Sequence, residues 1–306
     1  MSALILHHYD FSPFGEKVRL AFGHKGLDWH AVETPAWPPK PDLVPLTAGY
    51  RRAPVLQVGA DVYCDTHLIL REIERRHPEP TLYPGGQVGL AEAVSWWAER
   101  TTFMQAATLA TSILGDAVPA ALVEERKTFM RHDFGKEASL REQPLNRQRL
   151  HASLSRLADM LRDGRRFLLG PAVSAADLAA YHPIWFARTN GGAAAEAMLP
   201  LDPLRDWMDR VAALGHGRRH AMSPADALTA ARAAEPEPVR VAADADPSGL
   251  RAGQAVAIRT DDTSHDPIRG ILVGADADEV VIRHTHERVG TVHVHFPRAG
   301  YEVLPE

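Results

Sequence analysis

At 306 residues the chain is long for one compact unit and implies two or three domains. Hydrophobic residues make up 45% and charged residues 24%, an ordinary globular balance, and the formal net charge of −5 argues against nonspecific binding to a phosphate backbone, so no nucleic-acid partner is expected. No run of about 18 uninterrupted apolar residues reads as a membrane span, so no membrane partner is expected. The opening MSALILHHYD has neither a basic n-region nor a long apolar h-region and is expected to be a first strand rather than a secretory signal. The lone cysteine, Cys64, excludes an internal disulfide, a CxxC redox pair and a cysteine-rich zinc site. It suits a reducing compartment, and a cytoplasmic location is expected.

In chain order, Leu4-Ile5-Leu6 predicts a first strand. Ser12-Pro13 then offers a hydroxyl cap and a proline at the first helical position; Phe14, Val18, Ala21 and Phe22 recur at helical spacing and Gly26 ends the run. Trp29 to Val32 is a second strand, and residues 34–47 are proline-rich and irregular. Ala53 to Val58 is the third strand, Gly59-Ala60-Asp61 a tight turn and Val62-Tyr63-Cys64 the fourth strand. Asp65-Thr66 caps a helix running to about His77, and residues 78–86 form a linker. This βαβ, β-turn-β, α order fits a compact sheet with helices on it.

From residue 88 to about 234 the period is helical, with helices predicted over 88–115, 119–135, 144–163, 175–189, 203–214 and 224–234. Ser174-Ala175-Ala176-Asp177 has the spacing of a capping box. The alanine-rich segment 221–234 reads as a helix lying on a surface. A second linker opens at Glu235-Pro236-Glu237-Pro238 and runs through acidic sequence to Gly249. Beyond it the period becomes two, and Val256 to Ile258, Ile268 to Val273, Val280 to His284 and Thr291 to Phe296 read as short strands. A small antiparallel barrel or sandwich over 248–306 is expected.

The chemistry concentrates early. Ser12 places a hydroxyl where a strand meets a helix N-terminus, a position at which unpaired N–H groups and the helix field favour an anion. The same residues make an ordinary helix cap, and this segment alone leaves both readings open. Taken whole, SPFGEKVRL resembles the active-site segment of glutathione transferases of the omega and tau types, which carry C-P-F or S-P-F here. In that family the first residue contacts the sulfur of glutathione. Arg52-Ala53-Pro54-Val55-Leu56 is similar to the family's K-[IV]-P-V-L, whose cis proline lets the preceding backbone pair with the cysteinyl part of glutathione. Asp65-Thr66 stands where the family has Glu-Ser, the acid taking the γ-glutamyl ammonium and the hydroxyl helping to take the carboxylate; an ordinary cap has the same sequence. Phe167-Leu168-Leu169-Gly170-Pro171 with Ser174 and Asp177 looks like the family's buried helix cap.

The resemblance covers about residues 3–215 and implies an α+β chain: a thioredoxin-like glutathione-binding domain over 1–80, an all-helical domain over 88–234 and, outside the family pattern, the small β domain. It further implies a serine-type transferase with glutathione as co-substrate and no metal, used in detoxification. Ser12 would be catalytic, with Arg52, Ala53, Pro54, Asp65 and Thr66 binding glutathione; Arg51 competes with Arg52 for the glycine carboxylate. An unperturbed thiol has a pKa of about 8.5, and a hydroxyl donor with a helix end lowers that by roughly two units, about 2.7 kcal/mol. The other substrate would be a small apolar electrophile, and a homodimer is expected. A noncatalytic binding or scaffolding protein of the same fold is the alternative, because Asp65 is one methylene shorter than Glu and the β domain is additional. Thiol–disulfide reduction of the omega kind is disfavoured by the alcohol at position 12.

Three features stay outside this scheme. Cys64 reads as a small buried side chain. The stripe Trp96, Trp97, Phe103 and Met104 can be core, dimer contact or cleft lining. His284, His286, His293 and His295 invite a metal reading, but strand parity turns His284 and His286 to the apolar face and His293 and His295 to the other, so no metal site is expected.

Overall fold

The first apolar run becomes β1 (Ile5–His8), and the Ser12-Pro13 cap opens α1 (Pro13–His24). Next come β2 (Asp28–Glu33), β3 (Val55–Val58), β4 (Asp61–Cys64) and α2 (Thr66–Arg76). β2 lies parallel to β1, β3 antiparallel to β1, and β4 antiparallel to β3. Gly59, at a φ of 63°, makes the two-residue turn between β3 and β4 possible. This is the thioredoxin-like arrangement that the resemblance implies.

The computed structural model describes residues 2–240, 248–262 and 266–306. It divides into two units, one of Met1–Gly15, Asp28–Glu72 and Arg218–Glu306, the other of Glu16–Leu27 and Ile73–Gly217. Residues 241–247 of the expected second linker lie outside the described residues.

The second unit holds α3 (Val88–Leu114), α4 (Ala120–Phe129), α5 (Lys136–Leu161), α6 (Ala175–Met198) and α7 (Arg205–Ala212). α5 begins eight residues before the predicted start, with Pro144 inside it, and α6 continues past the predicted end through a kink at Gly192. α3 buries small residues such as Ala91, Ser95, Ala98 and Thr102, so it can lie close to its neighbours. Trp96, Trp97, Phe103 and Met104 are only half-buried and are not that buried face. Asp177 ties this unit together. Its Oδ1 accepts from the backbone N–H of Leu168 and the indole N–H of Trp207, both at 2.8 Å. Its Oδ2 accepts from the N–H and the hydroxyl of Ser174 at 2.8 and 2.7 Å. Burial raises the Asp177 pKa, and these donors pull against it.

In the first unit the C-terminal sequence does not make the separate β domain expected over 248–306. β5 (Arg218–Ala221), which period reading missed, adds to β2 in parallel. α8 (Pro224–Arg232) does not merely lie on a surface: Ala227, Leu228 and Ala231 are buried, and Gln57 donates to the Ala227 carbonyl at 2.8 Å. Then β6 (Ala255–Thr260), β7 (Ile268–Ala275), β8 (Glu279–His286), β9 (Gly290–Pro297) and β10 (Tyr301–Pro305) follow. β9 pairs in parallel with β4, so the described residues form one ten-stranded sheet in the order β10-β6-β7-β8-β9-β4-β3-β1-β2-β5.

The meander β6–β10 still curls as the expected barrel would. β9 and β10 are joined by residues 298–300, and Phe296 and Tyr301 have ring centroids 5.7 Å apart. One apolar core runs through Leu46, Val62 and Cys64 of the N-terminal segment and Val256, Ile282, Val294 and Phe296 of the meander. Each such side chain contributes about 1.5–3 kcal/mol by leaving water, and this shared burial makes the two segments one unit.

Asp177→Ala leaves three buried N–H donors without their acceptor. The expected loss is about 3–5 kcal/mol of unfolding free energy, read by denaturant unfolding; a loss under about 1 kcal/mol would show that water replaces the carboxylate.

Candidate functional site

The sheet register sets the site. His7 of β1 lies opposite Val55 of β3, and Val55 opposite Cys64 of β4. Three segments therefore leave the sheet at one end: Tyr9 to Ser12 after β1, Ala53-Pro54 before β3, and Asp65-Thr66 after β4. Adjacent strands are about 4.8 Å apart, so the three exits span about 10 Å of sheet.

Ser12 is 1% exposed. Its backbone N–H donates to the Tyr9 carbonyl at 3.0 Å, and its Oγ accepts the Gly15 N–H at 3.0 Å. This is the geometry of a helix cap, and it leaves the hydroxyl proton to be donated. The capping and anion-binding readings of Ser12 are therefore compatible. On β1, burial holds His7 down at about 4, so it stays neutral, with Nε2 2.8 Å from Gln57 Oε1.

The Ala53–Pro54 bond is cis. Pro54 is buried and Ala53 half-buried at the head of β3. Asp65 has a φ of 74°, a left-handed conformation that Asp tolerates better than most residues. Its Oδ1 accepts the His67 N–H at 3.0 Å, capping α2. Tyr301, from β10, donates to its Oδ2 at 3.3 Å, and the Tyr50 and Tyr301 hydroxyls are 3.1 Å apart. Burial, with Tyr50 and Asp65 nearby, pushes the Tyr301 phenol well up, so it keeps its proton and acts as donor. Thr66 is buried in the first turn of α2. Cys64 is fully buried, and burial with the Asp65 charge raises its thiol far above the reactive range.

Arg52 differs from the expectation. Its guanidinium is forked onto Asp262, at 2.8 Å to Oδ2 and 2.5 Å to Oδ1, and also reaches Thr260 Oγ1 at 3.2 Å. A bidentate carboxylate occupies the face that a glycine carboxylate would use. Arg51 approaches a second acid of the same region, Asp266, at 3.7 Å. The C-terminal region thus supplies Tyr301 of β10 to the acid and Asp262, just after β6, to the base of the expected glutathione cradle. Sequence reading missed both; the only local cue is Tyr50 beside two arginines.

The glutathione S-transferase N-terminal domain family matches residues 6–81, and the C-terminal domain family matches residues 120–210. A GST-like protein from Pseudomonas syringae is 36% identical over 99% of each chain, with a TM-score of 0.80, so it shares the strand region too. The chain belongs to the glutathione S-transferase family. A glutathione S-transferase from Rhodospirillum rubrum F11 is 21% identical over 69% of this chain and 87% of its own, with a TM-score of 0.53. A rice GST in complex with glutathione is 21% identical over 74% of this chain and 92% of its own, with a TM-score of 0.50. These two share the fold. No curated protein sequence matches the chain. Among the described residues no helix is long and apolar enough to cross a membrane.

The Arg52–Asp262 pair is partly buried and bidentate, and a double-mutant cycle with Arg52→Ala and Asp262→Ala is expected to give a coupling of about 1–2 kcal/mol in unfolding free energy. Additive losses would show that the fork does not fasten the strand region.

Proposed function

We propose that this chain is a glutathione-dependent transferase in which Ser12 hydrogen-bonds the glutathione thiolate and directs it at a small apolar electrophile. The observation that carries the reading is the common exit of Ser12, cis-Pro54 and Asp65 from one end of the sheet. Family membership supports it, as does the rice relative, whose structure is a complex with glutathione.

In this mechanism the Gly15 N–H polarises the Ser12 hydroxyl, which makes it a stronger donor to sulfur, and the N-terminus of α1 adds its field. The Ala53 backbone pairs with the cysteinyl unit of glutathione. Asp65 takes the γ-glutamyl ammonium; each of its oxygens already accepts one hydrogen bond and retains a second lone pair. Thr66 assists with the γ-glutamyl carboxylate. Arg52 is not assigned the glycine carboxylate, because Asp262 holds it. The thiolate then attacks the electrophile, the protein contributing nucleophile activation and orientation.

Ser12→Ala is expected to bind glutathione as the parent does in a calorimetric titration, while turnover of a model aryl halide falls at least about tenfold, the scale of one hydrogen bond to a charged group. Unchanged turnover removes Ser12 from the mechanism. Absence of heat from the parent chain at millimolar glutathione would instead favour the noncatalytic reading of the fold.

A further inference from the structure

The seam between β4 and β9 carries side chains that the glutathione chemistry does not use. The parallel register sets Asp61 beside His293 and Tyr63 beside His295. His293 and His295, two residues apart on β9, share the face opposite Val292, Val294 and Phe296, which enter the apolar core. His284 and His286 lie on that other face, as strand parity predicts, since His284 is opposite Val292 and His293 opposite Arg283.

On this seam a carboxylate meets two imidazoles. Asp61 Oδ1 is 3.0 Å from His295 Nε2 and 4.0 Å from His293 Nδ1, and one ligand atom from each residue falls within 4.8 Å of the others. Asp61 is held from behind, its Oδ2 accepting the Glu237 N–H at 2.8 Å. His295 is held too: its Nδ1 is 2.5 Å from Glu279 Oε1, and its ring stacks on Tyr63 with centroids 4.3 Å apart. His293 Nδ1 is buried yet makes no hydrogen bond.

We propose that Asp61, His293 and His295 bind one divalent transition-metal ion, Zn2+ being the cation that this donor set suits, and that Glu279 orients His295 from outside the coordination shell. Three features argue for it. Two imidazoles and a carboxylate are a zinc donor set with a fourth position left for water. A carboxylate on the far nitrogen of a ligating histidine is the usual support for such a ligand. A metal also answers the buried His293 nitrogen, which an imidazolium of His295 clamped between Asp61 and Glu279 does not. Zinc at about 2.0–2.2 Å from each donor needs donors roughly 3.3–3.5 Å apart, so His293 closes by no more than about 1.5 Å, and Asp61 and His295, now 3.0 Å apart, open slightly. On binding, His295 keeps its Nδ1 proton on Glu279 and releases any proton on Nε2 to solvent. The ion would staple the C-terminal strands to the sheet edge.

The test uses the full chain, stripped with a chelator, dialysed, and titrated with ZnCl2 by calorimetry; Co2+ titration reports the ligand field in the visible. One equivalent is expected to bind. His293→Ala is expected to weaken it about 100-fold or more, Glu279→Gln about 10–100-fold, and His284→Ala with His286→Ala to leave it unchanged. His293 has a solvent-exposed portion and no hydrogen bond at Nδ1, so its variant is expected to fold, which circular dichroism checks. The proposal is overturned by no stoichiometric uptake, by parent-like uptake in a folded His293→Ala chain, or by loss of uptake in the His284/His286 variant. None of these readouts depends on glutathione.

Discussion

The parallel pairing of β9 with β4 is the contact on which the rest of this architecture turns. A four-stranded order β4-β3-β1-β2 leaves the backbone groups of β4 unpaired along one edge, and such an edge must be covered or made unattractive. Here the chain covers it with its own late strand. Once β9 is in register, β8, β7, β6 and β10 follow as an antiparallel meander, and its curl returns β10 to the loop before β3. The apolar core then includes side chains from both ends of the sequence. Tyr301 reaches Asp65 and Asp262 reaches Arg52 as consequences of that curl.

The charged residues of the Ser12 segment show a division of roles that local sequence does not. Glu16, Lys17 and Arg19 are all buried, although they closely follow the Ser12 cap. Glu16 accepts from Arg19 at 2.7 Å and lies 3.0 Å from His216 Nε2; Lys17 donates to Glu99 at 2.8 Å. The same Glu99 oxygen is 2.9 Å from His182 Nε2. Buried charges are tolerated when paired in this way. These residues fasten the helical unit, and the proposed chemistry is left to Ser12 and the backbone of the first turn.

Much of this was legible in the sequence because it is local. Strand period, the Ser12-Pro13 cap, the Asp65-Thr66 cap and the Ser174/Asp177 box each declare themselves within a few residues, and the elements formed where those signals lie. The parity of the tail histidines was legible for the same reason. What was hidden depends on pairing at long range. β5 is four exposed residues, Arg218–Ala221, with no apolar alternation to mark it. α5 runs through Pro144, the residue at which the helical period placed its start. Arg52 reads as a ligand until Asp262 is known to be its neighbour, and nothing near residue 52 announces residue 262. Asp61 looked like a turn residue, and only the β4–β9 register sets histidines beside it.

Asp65 shows how the appended strands bear on the site itself. An aspartate is one methylene shorter than the glutamate that the family resemblance leads one to expect, so its carboxylate sits closer to its own backbone and has less reach. Two contacts compensate in orientation. The left-handed backbone at a φ of 74° turns the residue out of the path of β4, and the His67 N–H fixes one oxygen. The Tyr301 hydroxyl, held in turn by Tyr50, fixes the other. Lost reach is thereby exchanged for a carboxylate that starts in one orientation, with less rotamer freedom left to lose when an ammonium arrives. In this chain the orientation of the Asp65 carboxylate is thus a joint property of the α2 cap and the last strand, and under the proposed function that is the group offered to the γ-glutamyl end of a thiol tripeptide.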